Sequence, residues 1–500
     1  MTGRTSETSR TSAGGGGGGG GDVTVIRGGT LVTAEGAQHA DLVIRGSRIV
    51  GIVEGGDGHP ADARIVDAQD RFVMPGGVDP HTHLEHRVGP TLRTSDNFYT
   101  GTAAAAAGGT TTIVDFACNR DDLSLAEAVE TRREAASHGA IIDYRFHSAI
   151  TGVGLTQGTD DMAAAHALGA HSFKVYMAYP GRMMSDDETI LRVMAKAAEL
   201  DCVVLAHAEN GHVIAYRTQQ LLDGHQTAEH YHFHAHSEEA EAEAINRAIT
   251  LADTVGCRLH IVHVSSASGA ECIASARNAG SHVTGETCPQ YLFRAYEDYR
   301  DAGFDAARFI CSPPIRERRH QAALWSALRN DHLSVVATDH APFFFRERDA
   351  DLGSKERGRG YFPKVPNGVP GIEERLRLVL EGGVEQGLLT LPRVVDITST
   401  QPAKIMGLYP RKGSLSVGAD ADIVIWRRGV AKPIRFQRQH GDIDYSLYEG
   451  FETHWQPETV FSRGEVIVAD NEVVARPGRG EYLAAPSKKR VSDHLATSNA

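Results

Sequence analysis

Within ten residues, VDPHTHLEHR from Val78 to Arg87, the chain places three histidines and two carboxylates. Side chains alternate faces along a strand, so His81 and His83, two apart, project together from one strand end as paired imidazole ligands. The chain has 25 histidines, and an isolated His-x-His serves packing or surface contacts more often than metal binding. The pair gains meaning only from partners on other strands. Four short apolar runs supply them: SFKVYMA carries Lys174, VVLAHA carries His207, LHIVHVS carries His263 and SVVATDHAP carries Asp339. Singly, Lys174 reads as half of an ion pair, His207 and His263 as satisfied core histidines, and Asp339 as a loop cap. Taken together they point to a metal centre, because polar residues rarely occupy inward strand positions of a packed barrel unless they are paired or hold a ligand.

The charge count explains the lysine. Four neutral imidazoles and one carboxylate around two divalent cations leave a large excess of positive charge, and an ammonium would add to it. Burial beside cations lowers a lysine pKa. The neutral amine can then add carbon dioxide and become a carbamate, an anionic bridge between the metals. With that carbamate, Asp339 and a bridging hydroxide, the site comes close to neutrality.

Residues so arranged need a scaffold that brings several strand ends together. From Val78 to Pro342 eight apolar runs follow one another: VDPHTHL, TTIVDFA, IIDYRFHSAI, SFKVYMA, VVLAHA, LHIVHVS, VTGETCP and SVVATDHAP. Most are separated by helix-like stretches such as LAEAVETRREAASHG, DDETILRVMAKAAEL and EAEAEAINRAITLADTVG. This alternation predicts an α/β chain whose parallel strands close into a (β/α)8 TIM-like barrel, with the polar residues at its carboxyl face. An open doubly wound sheet is the competing fold, but it usually carries a Gly-rich phosphate loop after its first strand, where this chain has histidines. Strand-like texture also fills residues 22–75 and returns at ADIVIWRR and TVFSRGEVIVADNEVV. A small β-sandwich domain built from both termini, 22–75 with 410–475, is therefore expected around a barrel at 76–409. Residues 1–21, ending in eight glycines, read as a disordered tail, and 476–500 as a C-terminal tail.

Composition narrows the partners. A net charge of −13 with interspersed signs gives no footprint for nucleic acid or membrane, and no run is long and apolar enough to span a bilayer. Small-molecule substrates are the expectation. Six scattered cysteines, with no Cys-x-x-Cys, fit a reducing cytoplasm.

The stretches GGVDPHTHLE, SFKVYMAYPG, LAHAENG, LHIVHVSS, GETCPQYLF, CSPPIRE, VATDHAPF, VPNGVPGIEER and YPRKGSLSVGADADIVIW together resemble the dihydropyrimidinase/hydantoinase family of cyclic amidohydrolases, from about residue 22 to about residue 485. The resemblance implies that His81, His83, Lys174 and Asp339 hold one divalent metal and Lys174, His207 and His263 the other, with Lys174 as N6-carboxylysine. Zinc is the leading expectation, although such ligands accept manganese, cobalt or nickel alike. It further implies hydrolysis of a dihydropyrimidine or 5-substituted hydantoin to an N-carbamoyl amino acid by a metal-bridging hydroxide, and a homotetramer with the tail after Arg476 as a possible subunit contact. Asp339 would shuttle the proton, Tyr179 would stabilise the oxyanion, and Tyr179, Ser312 and Asn367 would bind the ring.

Three further readings bear on the same motifs. His340 in ATDHAP is shared with allantoinases. The related scaffold proteins that lost their metal ligands are set against six intact ligand positions, and a mononuclear deaminase would lack Lys174. Glu85, where dihydroorotase has an arginine, would repel an anionic substrate. Arg87 and Arg93, in the loop after the first barrel strand, would admit a polar substituent.

Overall fold

The eight apolar runs become eight parallel strands, each neighbouring the next in chain order. In the computed structural model, residues 23–55, 60, 62–88, 92–119, 123–151, 159–349 and 352–484 are described. The expected disordered tail, 1–21, and the end of the C-terminal tail lie outside them. Five strands precede the barrel: β1 (Val23–Val32), β2 (Ala37–Arg45), β3 (Arg48–Val53), β4 (Arg64–Asp67) and β5 (Phe72–Pro75). The barrel strands are β6 (Gly77–Thr82), β7 (Thr110–Cys118), β8 (Asp143–Ala149), β9 (Ser172–Tyr176), β10 (Val203–His207), β11 (Arg258–Ile261), β12 (Val283–Thr287) and β13 (Val335–Val336). Four more follow: β14 (Ile423–Pro433), β15 (Glu452–Ser462), β16 (Glu465–Ala469) and β17 (Glu472–Val473).

Backbone and side-chain contacts close the barrel where β13 is too short to do so alone. Thr82 and His340 form a parallel bridge, the His83 amide donates to the His340 carbonyl at 2.9 Å, and the Thr338 hydroxyl donates to Asp79 at 2.6 Å. At the opposite end, the buried Arg375 guanidinium donates to the carbonyls of Val78 and Val336 and to the Thr110 hydroxyl. Strand alternation then sorts the residues of β9: Phe173 and Val175 pack in the large core under the helices, whereas Tyr176 packs in the barrel interior. Lys174 shares the interior face of Tyr176 and is buried.

The helices start and stop where their caps require. Ser124 and Glu127 form a reciprocal capping box for the helix Leu125–Gly139. Ser237 caps the helix Glu238–Val255, and Gly256 ends it in the left-handed region at φ +67°.

The remaining nine strands form one sheet, ordered β17-β16-β15-β14-β5-β1-β2-β3 with β4 beside β1. The two chain ends meet where β5 pairs antiparallel with β14. Their side chains share one core, with Ile26, Leu42 and Val73 packed among Ile423, Ile425 and Phe461. Part of the expected C-terminal tail lies along its own barrel: Gly480 and Leu483 donate to the Ala140 and Tyr144 carbonyls. No helix among the described residues is long and apolar enough to cross a membrane.

Candidate metal centre

All six residues expected to hold metal reach one cavity of about 280 Å³ at the carboxyl ends of the barrel strands, together with Tyr179, Ser312 and Asn367. His83, His263 and Asp339 lie just past the ends of β6, β11 and β13. His81 and His83 turn their Nε2 atoms onto one oxygen, Asp339 Oδ1, at 3.2 and 3.1 Å. The ligand atoms of these three residues lie within 4.8 Å of one another. The His263 ring lies between the two groups, 5.4 Å from the His81 ring and 4.5 Å from that of His207.

Second partners fix which nitrogens face inward. Glu286, on β12, accepts from His81 Nδ1 at 2.5 Å and also contacts His260 Nε2 at 3.1 Å. His207 Nε2 bonds Glu209 at 2.9 Å, leaving Nδ1 for a ligand, and Glu209 also bonds His236 at 2.8 Å. His83 stacks on Phe116 at 4.7 Å. Carboxylate partners of this kind orient metal-binding imidazoles and raise their basicity. Neither glutamate was singled out from the sequence, though both left a signal. Glu209 lies two residues after His207, and Glu286 sits on a strand expected to face the barrel interior.

Burial pushes the His83, His207 and His263 imidazoles down, so they are neutral near pH 7 and free to donate a lone pair. Burial also lowers Lys174 to about 8. Its amine sits 5.4 Å from the ring centroids of Phe116 and Tyr176, with no carboxylate in ion-pair reach among the described residues. Burial opposes the Asp339 carboxylate, but His81 and His83 outweigh it and hold it below the usual range. Four imidazoles, one ionised carboxylate and an unpaired buried amine fit a pair of divalent cations. The buried His83 and His263 Nδ1 atoms have no partner.

Tyr179 forms the adjacent wall. Its ring is 5.2 Å from that of His207, its hydroxyl bonds Ser312, and the Asn367 amide donates to the Ser312 hydroxyl at 2.9 Å. Burial raises the phenol, which stays protonated and able to donate. Tyr179, His263 and Asp339 all occupy left-handed backbone conformations, at φ +68°, +44° and +51°. Such residues cost about 1–3 kcal/mol each and concentrate at functional sites.

Two expectations change. Arg87 and Arg93 are not among the residues that line the cavity, and their backbones bridge each other. Glu85 also lies outside the lining, with its carboxylate near the Phe98 amide at 3.4 Å. His340 points into the fold, where Nε2 bonds Asp96 at 2.9 Å and Nδ1 accepts from Gly371.

Residues 72–467 match the amidohydrolase family. The chain is 42% identical to a D-hydantoinase of Geobacillus stearothermophilus over 92% of its length and 96% of that protein. It is also 42% identical to a D-hydantoinase of Streptomyces coelicolor, over 92% and 97% of the two chains. The crystal structure of dihydropyrimidinase from Brevibacillus agri superposes with a TM-score of 0.89 at 41% identity, covering 93% of this chain and 99% of that one. The chain therefore belongs to the amidohydrolase family, among the cyclic amidohydrolases of the hydantoinase and dihydropyrimidinase group.

Proposed function

We propose that this protein opens a dihydropyrimidine or 5-substituted hydantoin ring by hydrolysis, giving an N-carbamoyl amino acid. The observation that carries the reading is the convergence of His81, His83, Lys174, His207, His263 and Asp339 on one cavity whose wall is the Tyr179, Ser312 and Asn367 chain. His81, His83, Lys174 and Asp339 would hold one divalent cation, and Lys174, His207 and His263 the other. When bound, such a pair acidifies a shared water and polarises the ring carbonyl. Lys174 is suited to bridging: its amine loses a proton more readily than an ordinary lysine, forms an N–C bond to carbon dioxide and becomes an anionic carbamate.

The chain's own groups handle the protons. Asp339 presents Oδ1 to His81 and His83, which leaves Oδ2 to take the proton of the attacking water and return it to the departing ring nitrogen. An amide nitrogen leaves poorly without that proton. The Tyr179 hydroxyl donates to the oxygen that gains charge as the carbonyl carbon becomes tetrahedral, while Ser312 and Asn367 hold the ring against it. The proposal extends to zinc as the metal and to a homotetramer in a reducing cytoplasm. These rest on the family resemblance and on the cysteine distribution.

The test is a panel of dihydrouracil, 5-substituted hydantoins and allantoin, with wild type and Lys174→Ala each assayed for product and bound metal. Wild type is expected to open dihydrouracil or the hydantoins, and Lys174→Ala to lose both turnover and most of its metal. Equal turnover by the two proteins defeats the proposal.

A further inference from the structure

Ring-binding residues occupy the floor of the cavity, and two cations stand near them at its mouth. Arg182 and Lys364 both line the cavity and are both exposed. Each belongs to a segment that also holds the ring: Arg182 follows Tyr179 in a tight turn, with its amide donating to the Tyr179 carbonyl at 3.1 Å, and Lys364 lies three residues before Asn367. Neither has a carboxylate within ion-pair distance among the described residues. Arg182 donates instead to the Val88 carbonyl at 3.1 Å, and the Lys364 ammonium rests 5.7 Å from the Tyr361 ring centroid. The lining between mouth and floor is partly apolar, with Val88, Leu92, Met183 and Phe343. Among the described residues its sole carboxylate is Asp339, already engaged with His81 and His83.

We propose that this mouth selects rings whose 5-substituent is a short aliphatic chain ending in a carboxylate, with Arg182 and Lys364 as the specificity-determining residues. The inference rests on the ring-opening reading and names its substrate class. The methylene part of the substituent packs on the apolar wall, and its terminal carboxylate receives charge-assisted hydrogen bonds from a guanidinium and an ammonium that have no internal anion to satisfy. Both side chains stay solvated, so each pair is worth only the roughly fivefold of a good exposed ion pair. A neutral amide of the same shape loses most of that.

The experiment measures kcat/KM of the metal-loaded enzyme on 5-(2-carboxyethyl)hydantoin and on 5-(2-carbamoylethyl)hydantoin, for wild type, Arg182→Met and Lys364→Met. Wild type is expected to favour the carboxylate by about fivefold or more. Each variant should cut the carboxylate-to-amide ratio severalfold, and so should salt at about 0.5 M, where screening shortens to a few ångström. A wild-type ratio at or below one, or a ratio that neither variant changes, overturns the inference while the amide's hydrolysis leaves the ring-opening reading standing. If wild type opens neither hydantoin nor dihydrouracil, the underlying reading falls and this inference with it.

Discussion

Lys355 is fully buried, yet its ammonium donates to three main-chain oxygens, those of Ile310, Pro366 and Gly368, at 2.8, 2.6 and 2.7 Å. These carbonyls flank Ser312 on one segment and Asn367 on the other, so a single side chain ties together the two strips of backbone that form the proposed substrate wall. Removing it while keeping its bulk, as in Lys355→Met, leaves the buried Pro366 and Gly368 carbonyls without a donor, while the Ile310 carbonyl keeps the Gly368 amide at 3.0 Å. Each such loss is worth about 1–3 kcal/mol, partly offset by no longer burying a charge. The expected result is a destabilisation of about 1–3 kcal/mol in denaturant unfolding and a KM that rises about tenfold while kcat falls less, because the wall is loosened but the proposed metal ligands are untouched. Equal losses in kcat and KM, or none, would show that the clamp does not position the substrate. The sequence does not single out Lys355, since it sits between a glutamate and a serine in a charged loop that reads as solvent-facing.

Within the barrel, His147 ties three strands together: from β8, its Nδ1 contacts the Ser172 hydroxyl of β9 at 2.5 Å and its Nε2 the Pro80 carbonyl of β6 at 2.7 Å. Burial lowers its pKa to about 3, against about 6.5 in an unfolded chain. Between those values the unfolded state holds more protons than the folded one, so stability falls as the pH drops below about 6.5, by up to about 1.4 kcal/mol per pH unit from this residue. His147→Gln keeps an amide donor but cannot titrate. Comparing urea midpoints of metal-free wild type and variant from pH 7 to pH 5 cancels the other histidines. The gap between them should shrink by about 1–2 kcal/mol, and parallel curves would refute the burial argument. At this scale the sequence is most readable for what repeats locally. The eight strand runs, the helix-like stretches between them and the polar residues at strand ends follow from local alternation and composition. What escapes it depends on distant residues meeting: Glu286 orients a histidine 205 positions away, and the loop that carries Arg87 and Arg93 folds so that both miss the cavity.

The barrel and the β domain are joined by a buried charge cluster. Lys412 Nζ lies 2.6 Å from Asp143 on β8 and 2.9 and 2.8 Å from Asp420 and Asp422, which lead into β14. Burial opposes the ammonium, but the three carboxylates outweigh it and raise its pKa above that of an ordinary lysine. A raised folded-state pKa means that the stabilisation is complete below the unfolded value of about 10.4 and is lost only above it, so the clamp is fully formed at neutral pH. Arg463 supports Asp143, and Arg48 and Arg411 support Asp420, but none replaces a cation placed among all three acids. Lys412→Met therefore strands buried carboxylates at the junction, a loss of about 3–5 kcal/mol. Adding Asp143→Asn should recover part of it, because the stranded charge rather than the missing attraction dominates the penalty. With the barrel-helix Trp325 replaced by Phe in both proteins, the remaining tryptophans, Trp426 in β14 and Trp455 in β15, report the packing of the β domain on the barrel-side core, while far-ultraviolet circular dichroism follows the whole chain. In wild type the two denaturant transitions should coincide. In Lys412→Met both should move to lower denaturant, with the fluorescence transition first, because the nine-stranded sheet loses its anchor on β8. A variant whose transitions neither shift nor separate would mean that the paired strands β5 and β14, continuous with the barrel through Gly76, hold the two parts together without the clamp.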